Sequence, residues 1–119
     1  MNKKDKLIKK LNAILIICTV LISSQYLIII GMGLNFEVVF SNDNKMPVKT
    51  NWDYVTKTHF SYQDKTEINH WYFSDIIRFG GYIYSIGDVL IYLGYLGHFI
   101  TIGLVIKLKK LNRYSISYT

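Results

Sequence analysis

Residues 85–106, SIGDVLIYLGYLGHFITIGLVI, constrain this chain more than any other stretch, because past Asp88 they carry no Asp, Glu, Lys or Arg and are long enough to cross a bilayer. Ser85 followed three residues later by Asp88 has the spacing of a capping box. The serine hydroxyl accepts a backbone N–H of the first helical turn, and the carboxylate reaches back to the serine's own N–H. The spacing predicts a helix beginning at Ile86. From there to Ile106 a helix rises roughly 30 Å, the thickness of a hydrocarbon core. Lys107, Lys109, Lys110 and Arg113 then end the run with cations suited to a cytoplasmic anchor.

A second apolar run comes earlier. Residues 11–33 carry no charge and contain only Asn12, Thr19, Ser23, Ser24 and Gln25 as polar interruptions, after a basic leader over 1–10. This predicts a first transmembrane helix, with Gly31 and Gly33 marking its exit. The competing reading is a cleaved signal peptide, since the lysines and LNAILIICTVLI resemble its basic and apolar regions, with Ser23 and Ser24 near a cut. Apolar character resumes at once over 26–32, which favours a retained helix.

Charge placement gives the orientation. Nine of the fourteen Lys and Arg residues flank the two runs at the chain ends, whereas residues 34–82 hold a slight acidic excess. The positive-inside rule puts both termini in the cytoplasm, and residues 34–84 outside, for a protein of the cytoplasmic membrane. The net charge of +6 therefore points to anionic lipid headgroups and not to nucleic acid, because the basic residues do not line one folded face. Cys18 is the only cysteine and lies within an apolar run, so no intrachain disulfide forms and a packing role is expected.

The connection reads as short helices along the membrane surface. After the apolar stretch 34–40, SNDNKMP is a turn signal, with Pro47 biasing Met46 away from helix. Thr50 and Asp53 repeat the capping-box spacing and predict a helix over 51–59, while 61–69 reads as a polar loop. Ser74 or Asp75 can cap a short helix within 70–82, with Gly80 and Gly81 ending it. Eleven of the eighteen aromatic residues fall between Leu34 and Tyr82, as in a belt at the headgroup layer. The closing NRYSISYT, within the basic tail 107–119, reads as a loose end.

MGLNFEVVFSNDNKMPV, YFSDII and SIGDVLIYLG, in that order, resemble blocks of a family of bacterial integral membrane proteins defined by a domain of unknown function. The resemblance covers about 31–106 and is most specific at SIGDVLI, and it marks Met46, Pro47, Asp75, Ser85, Gly87 and Asp88 as block residues. In the family's pattern an Asn-Gly-Gly turn leads into MPV and a Gly precedes the middle Asp. Here SNDNK and Ser74 stand in those places. Family members tend to carry several apolar helices before the first block and this chain has one, which implies a shortened or divergent member. The family has no established activity, so the resemblance implies a membrane protein and leaves its chemistry open.

Three groups invite a chemical role. Asp88 is the third residue of its predicted helix, where freed amides and the positive end of the dipole favour an anion, so capping is the leading reading. Pairing with Arg78 and a proton or ligand role are the alternatives. His98 lies near mid-membrane and shares one helix face with Gly87, Gly94 and Thr101, a stripe that allows close helix approach. This predicts an antiparallel helix pair with a neutral His98 bonded to Ser23, Ser24 or Gln25. Glu67, His70, His59 and Asp64 are metal-ligand residue types at chance density, and no metal or cofactor is expected. Phosphate-loop and nucleophile-elbow motifs are lacking.

The sequence thus predicts an all-α membrane protein of two transmembrane helices, 11–33 and 85–106, in an antiparallel pair with short interfacial helices between them. Its polar and small helix residues predict a second copy or a larger membrane protein as partner, beside the lipid bilayer itself. The expected role is structural or accessory, and not enzymatic. The alternatives are an element of a membrane enzyme or transporter using Asp75, Asp88 and His98, and an exported protein with a cleaved leader.

Overall fold

The computed structural model describes residues 3–51 and 55–116. Two helices dominate it: α1, Lys3–Ser41, of 39 residues, and α2, Ile86–Ile116, of 31 residues. Between them lie four short strands and two single 3-10 turns. The strands are β1 (Met46–Lys49), β2 (His59–Tyr62), β3 (Ile77–Phe79) and β4 (Tyr82–Tyr84), and the turns are Lys65–Glu67 and Trp71–Phe73. The fold is therefore mostly helical but not all-α. The chain divides into two units, Met1–Tyr26 with Gly94–Thr119, and Leu27–Leu93.

Both helices outrun the predicted spans. α1 does not end at Gly31 and Gly33 but continues through the stretch 34–40 to Ser41. Gly31 is buried because a side chain there would run into the Gly87 carbonyl and into Ile91, so its role is close approach and not helix termination. Past Ile106, α2 continues through the lysines to Ile116, where a loose tail was expected. Its start at Ile86, after Ser85, matches the capping-box reading.

Within Leu27–Leu93 the polar backbone of the connection is satisfied by strands. β1 pairs with β2 in parallel, with Met46 opposite His59 and Lys49 opposite Tyr62. On its other side β1 bridges Asp75: Asp75 N–H donates to the Pro47 carbonyl at 3.0 Å, and Lys49 N–H donates to the Asp75 carbonyl at 2.9 Å. Met46, Pro47 and Val48 are buried as the centre of this patch. β3 and β4 form a hairpin in which Phe79 faces Tyr82, closed by Gly80 and Gly81 at φ of 59° and 82°, the two-residue turn that glycine favours.

These strands replace the interfacial helices. The helix predicted over 51–59 is not formed in its described part: Thr56 Oγ1 accepts from the N–H groups of Thr58 and His59, drawing off donors that a helix would use. Asp53, the other half of that capping signal, lies outside the described residues. The helix predicted within 70–82 gives way to one 3-10 turn and the hairpin. Ser74 is extended, with its hydroxyl tied to the Trp71 carbonyl and to Tyr62, and Gly80–Gly81 turn a hairpin instead of ending a helix. The polar loop 61–69 contains the end of β2 and the turn Lys65–Glu67, capped by Asp64 Oδ1 accepting from Thr66 N–H.

The end of α1 is locked by two asparagines. The Asn42 side chain donates to the carbonyls of Val38 and Asn69 and accepts from Asn69 N–H, while the Asn69 side chain donates to the Ser41 carbonyl. Carbonyls that a helix end leaves bare are thereby satisfied. Asp43 and Asn44 then turn the chain in the left-handed region, at φ of 55° and 59°.

In the other unit, Met1–Tyr26 with Gly94–Thr119, the helices also meet through small residues. A side chain at Gly97 would strike the Ser24 hydroxyl, and that hydroxyl donates back to the Val20 carbonyl at 2.7 Å. Thr101, also buried, donates to the Gly97 carbonyl at 2.9 Å. Ser24 seats on Gly97 and Gln25 bonds His98, while Ala13, Ile16 and Ile17 line one cavity with Leu104 and Leu108, so the two stretches run antiparallel.

Candidate functional site

The polar residues of Leu27–Leu93 converge on the first turn of α2. Asp88 Oδ2 accepts from Ser85 N–H at 3.1 Å, and Asp88 N–H donates to Ser85 Oγ at 2.9 Å, which completes the capping box. Asn35 of α1 closes it from outside. Its amide nitrogen donates to Asp88 Oδ1 at 2.8 Å, and its carbonyl oxygen accepts from Ser85 Oγ at 2.7 Å. Gly87 is required between them, since a side chain there would overlap the Asn35 carboxamide and press on the Gly31 carbonyl. Serine as cap, glycine as clearance and aspartate as reciprocal acceptor give the S-x-G-D segment a physical reason.

A second acid stands beside this network. Asp75 is 6% exposed, and burial pushes its carboxyl from the ordinary 3.8 up to about 7, with the Asp88 charge adding to the effect. Asp75 Oδ2 lies 3.6 Å from His59 Nε2, which is ion-pair range and too long for a good hydrogen bond. Among the described residues, Asp75 Oδ1 and Thr50 Oγ1 are buried with no hydrogen-bonding partner. Burying polar atoms in this way is costly and calls for an explanation.

The other sequence candidates separate. Arg78 does not pair with Asp88 but donates to the Lys49 carbonyl at 3.3 Å. His70 faces Glu37 at 3.4 Å, His59 faces Asp75 and Asp64 caps a turn; among the described residues no group of three or more His, Cys, Asp or Glu gathers as metal ligands. In the other unit His98 Nε2 lies 2.9 Å from the Gln25 amide nitrogen and its Nδ1 lies 2.9 Å from the Gly94 carbonyl. Assigned from this network, Nδ1–H donates to Gly94 and Nε2 accepts from Gln25. Of the three partners expected for His98, the structure provides Gln25.

Sequence reasoning passes over Asn35, and it gives Thr50 only a capping role and His59 only a metal-ligand type. Asn35 had a signal: Gly31, Asn35, Val38 and Asn42 recur at helical spacing, and together they form the inward stripe of α1 in Leu27–Leu93. Neither Thr50 nor His59 carries a signal for Asp75: His59 lies beside it only because β2 pairs with β1, and Thr50 because its neighbour Lys49 bonds the Asp75 carbonyl.

Two apolar helices long enough to cross a membrane, joined by a small strand-bearing segment, with Asn35 of the first closing on the start of the second, define the class of this protein. The sequence model described as a family of unknown function, DUF5317, matches residues 3–102, and the chain belongs to that family. No curated protein and no solved structure matches it.

Proposed function

We propose that the chain is an integral protein of the cytoplasmic membrane, crossing it twice with both termini inside, and serves as a non-enzymatic accessory component whose strand-bearing segment meets a partner outside. One observation carries this reading. The candidate spans Lys4–Ser41 and Ile86–Lys110 bury only 6% and 11% of their most apolar windows within the chain. A soluble protein covers such surface, whereas here Leu15, Ile29, Phe36, Phe99 and Ile106 stay more than half exposed. Lipid, or a second copy of the chain, supplies the cover. The bias of lysines to the chain ends supports the orientation.

Cys18 supplies a native probe, being the only cysteine and exposed on α1. In intact membranes a membrane-impermeant maleimide leaves Cys18 unlabelled, and it reacts once detergent strips the lipid. On a Cys18→Ser background, Thr56→Cys labels from outside in spheroplasts. Recovery of the chain in the soluble fraction without detergent refutes the reading. The enzyme or transporter alternative needs Asp75, Asp88 and His98 as free groups; Asp88 is engaged in capping and His98 in a helix-pair bond, which leaves Asp75 alone.

A further inference from the structure

We infer that Asp75 and Thr50, beside the Asp88 carboxylate, form a binding site for a primary ammonium group, supplied by a lipid headgroup at the start of α2; the lipid source rests on the membrane reading above. Three observations support it. Lys49 N–H donates to the Asp75 carbonyl and Thr50 is the next residue, so the two unpartnered acceptors, Asp75 Oδ1 and Thr50 Oγ1, are buried in one patch. Asp75 and Asp88 are near enough to repel, yet among the described residues neither pairs with a Lys or Arg; the only cationic candidate facing Asp75 is His59. Arg78, close along the chain, is turned to the Lys49 carbonyl.

The donor set selects the ligand. An ammonium group brings three N–H donors and no acceptor, which matches two unused acceptors and a neighbouring carboxylate. A lone proton would neutralise Asp75 but add a donor that itself needs a partner. A divalent metal wants several hard oxygen ligands at once, and no such group of acids gathers among the described residues. Asp88 is the third residue of α2, so on the membrane reading the site lies at headgroup depth. His59, with its side chain 42% exposed beside Asp75, marks the side from which a headgroup enters.

The test places the full chain in nanodiscs of phosphatidylethanolamine or of phosphatidylcholine, whose trimethylated nitrogen has no N–H, each with the same share of anionic lipid. The Asp75 carboxyl is titrated by its carbon chemical shift, and thermal midpoints are read in parallel. In phosphatidylethanolamine the proton affinity of Asp75 is expected to fall about tenfold, because a bound cation favours the carboxylate. The midpoint rises as well, and Asp75→Asn removes that difference while Thr50→Ser keeps it. A response to free methylamine in phosphatidylcholine discs, with none to phosphatidylethanolamine, overturns the lipid source. Identical titrations under all three conditions overturn the site. Failure of the chain to enter discs would instead refute the membrane reading, so the two failures are told apart.

Discussion

The two units are held by different means. In Leu27–Leu93, helix backbones touch at Gly31 and Gly87, and polar side chains close on each other in Asn35–Ser85–Asp88, Asn42–Asn69 and Tyr62–Ser74. In Met1–Tyr26 with Gly94–Thr119, the Gln25–His98 side-chain hydrogen bond and the seating of Ser24 on Gly97 join the helices among the described residues, beside apolar surface left largely exposed. Reciprocal hydrogen bonds lock the first unit. On the membrane reading proposed above, small residues and occasional polar links suffice to join helices in the second, because no hydrophobic force drives helices together in lipid.

The glycines give the largest test of that contrast. Gly87→Ala puts a methyl group against the Asn35 side chain and the Gly31 carbonyl, and the carbonyl cannot rotate away. A loss of about 3 kcal/mol is expected, at the upper end of overpacking costs. Gly97→Ala meets the end of the Ser24 side chain, which can turn aside, so about 1 kcal/mol is expected. Thermal midpoints in one detergent measure both. Equal losses would break the comparison.

Next come the polar links. Asn35→Ala leaves the Ser85 hydroxyl and the Asp88 carboxylate each without one partner, at a cost of about 2 kcal/mol. Gln25→Ala removes one bond to His98, and interhelical bonds of this kind are worth about 0.6 kcal/mol. Double-mutant cycles on Asn35/Ser85 and Gln25/His98 isolate the couplings, and the first should exceed the second.

A pH series sharpens the picture within Leu27–Leu93. The Asp75 carboxyl is raised in the folded chain, from 3.8 to about 7, so the folded state holds a proton that the unfolded state has released between those values. Its contribution is fully present below the unfolded value and is lost as pH rises through about 7. Between roughly pH 6 and pH 8 stability should fall by about 1 kcal/mol. Asp75→Asn should flatten that slope, while Gln25→Ala leaves it unchanged. An unaltered slope in Asp75→Asn would show that another group titrates.

The contrast also explains what could be read from the chain beforehand. Ser85 and Asp88 are legible because a cap is made by residues three apart, and the close approach at Gly87 because helical spacing is local, although the stripe read there leaves out Gly97, which meets Ser24. Gly31 and Gly33 misled: glycine signals both a helix exit and a close approach, and only the Gly87 carbonyl decides for Gly31. β1 and β2 were illegible, since four residues of MPVK or HFSY show no clear period and their parallel pairing is not encoded in either alone. Asp75 was read as a helix cap because its environment is made by β1, β2 and α2 together.

The smallest expected effect is that of Asp43→Gly, in the turn after α1. Asp43 and Asn44 both sit in the left-handed region, which only glycine occupies without steric cost, though Asn and Asp tolerate it better than most. Asp43→Gly removes that strain and also loosens the unfolded chain, two effects of opposite sign and each below about 1 kcal/mol. A net gain of about 0.3 kcal/mol is expected, because Asp43 is exposed and its removal breaks neither the Asn42–Asn69 lock nor the bond from Lys45 N–H to the Asn42 carbonyl. Asp43→Val should lose more than 1 kcal/mol, since a β-branched side chain is a true outlier there. If Asp43→Val leaves the melting midpoint unchanged, the turn does not govern the Asn42–Asn69 lock, which then stands on its own hydrogen bonds.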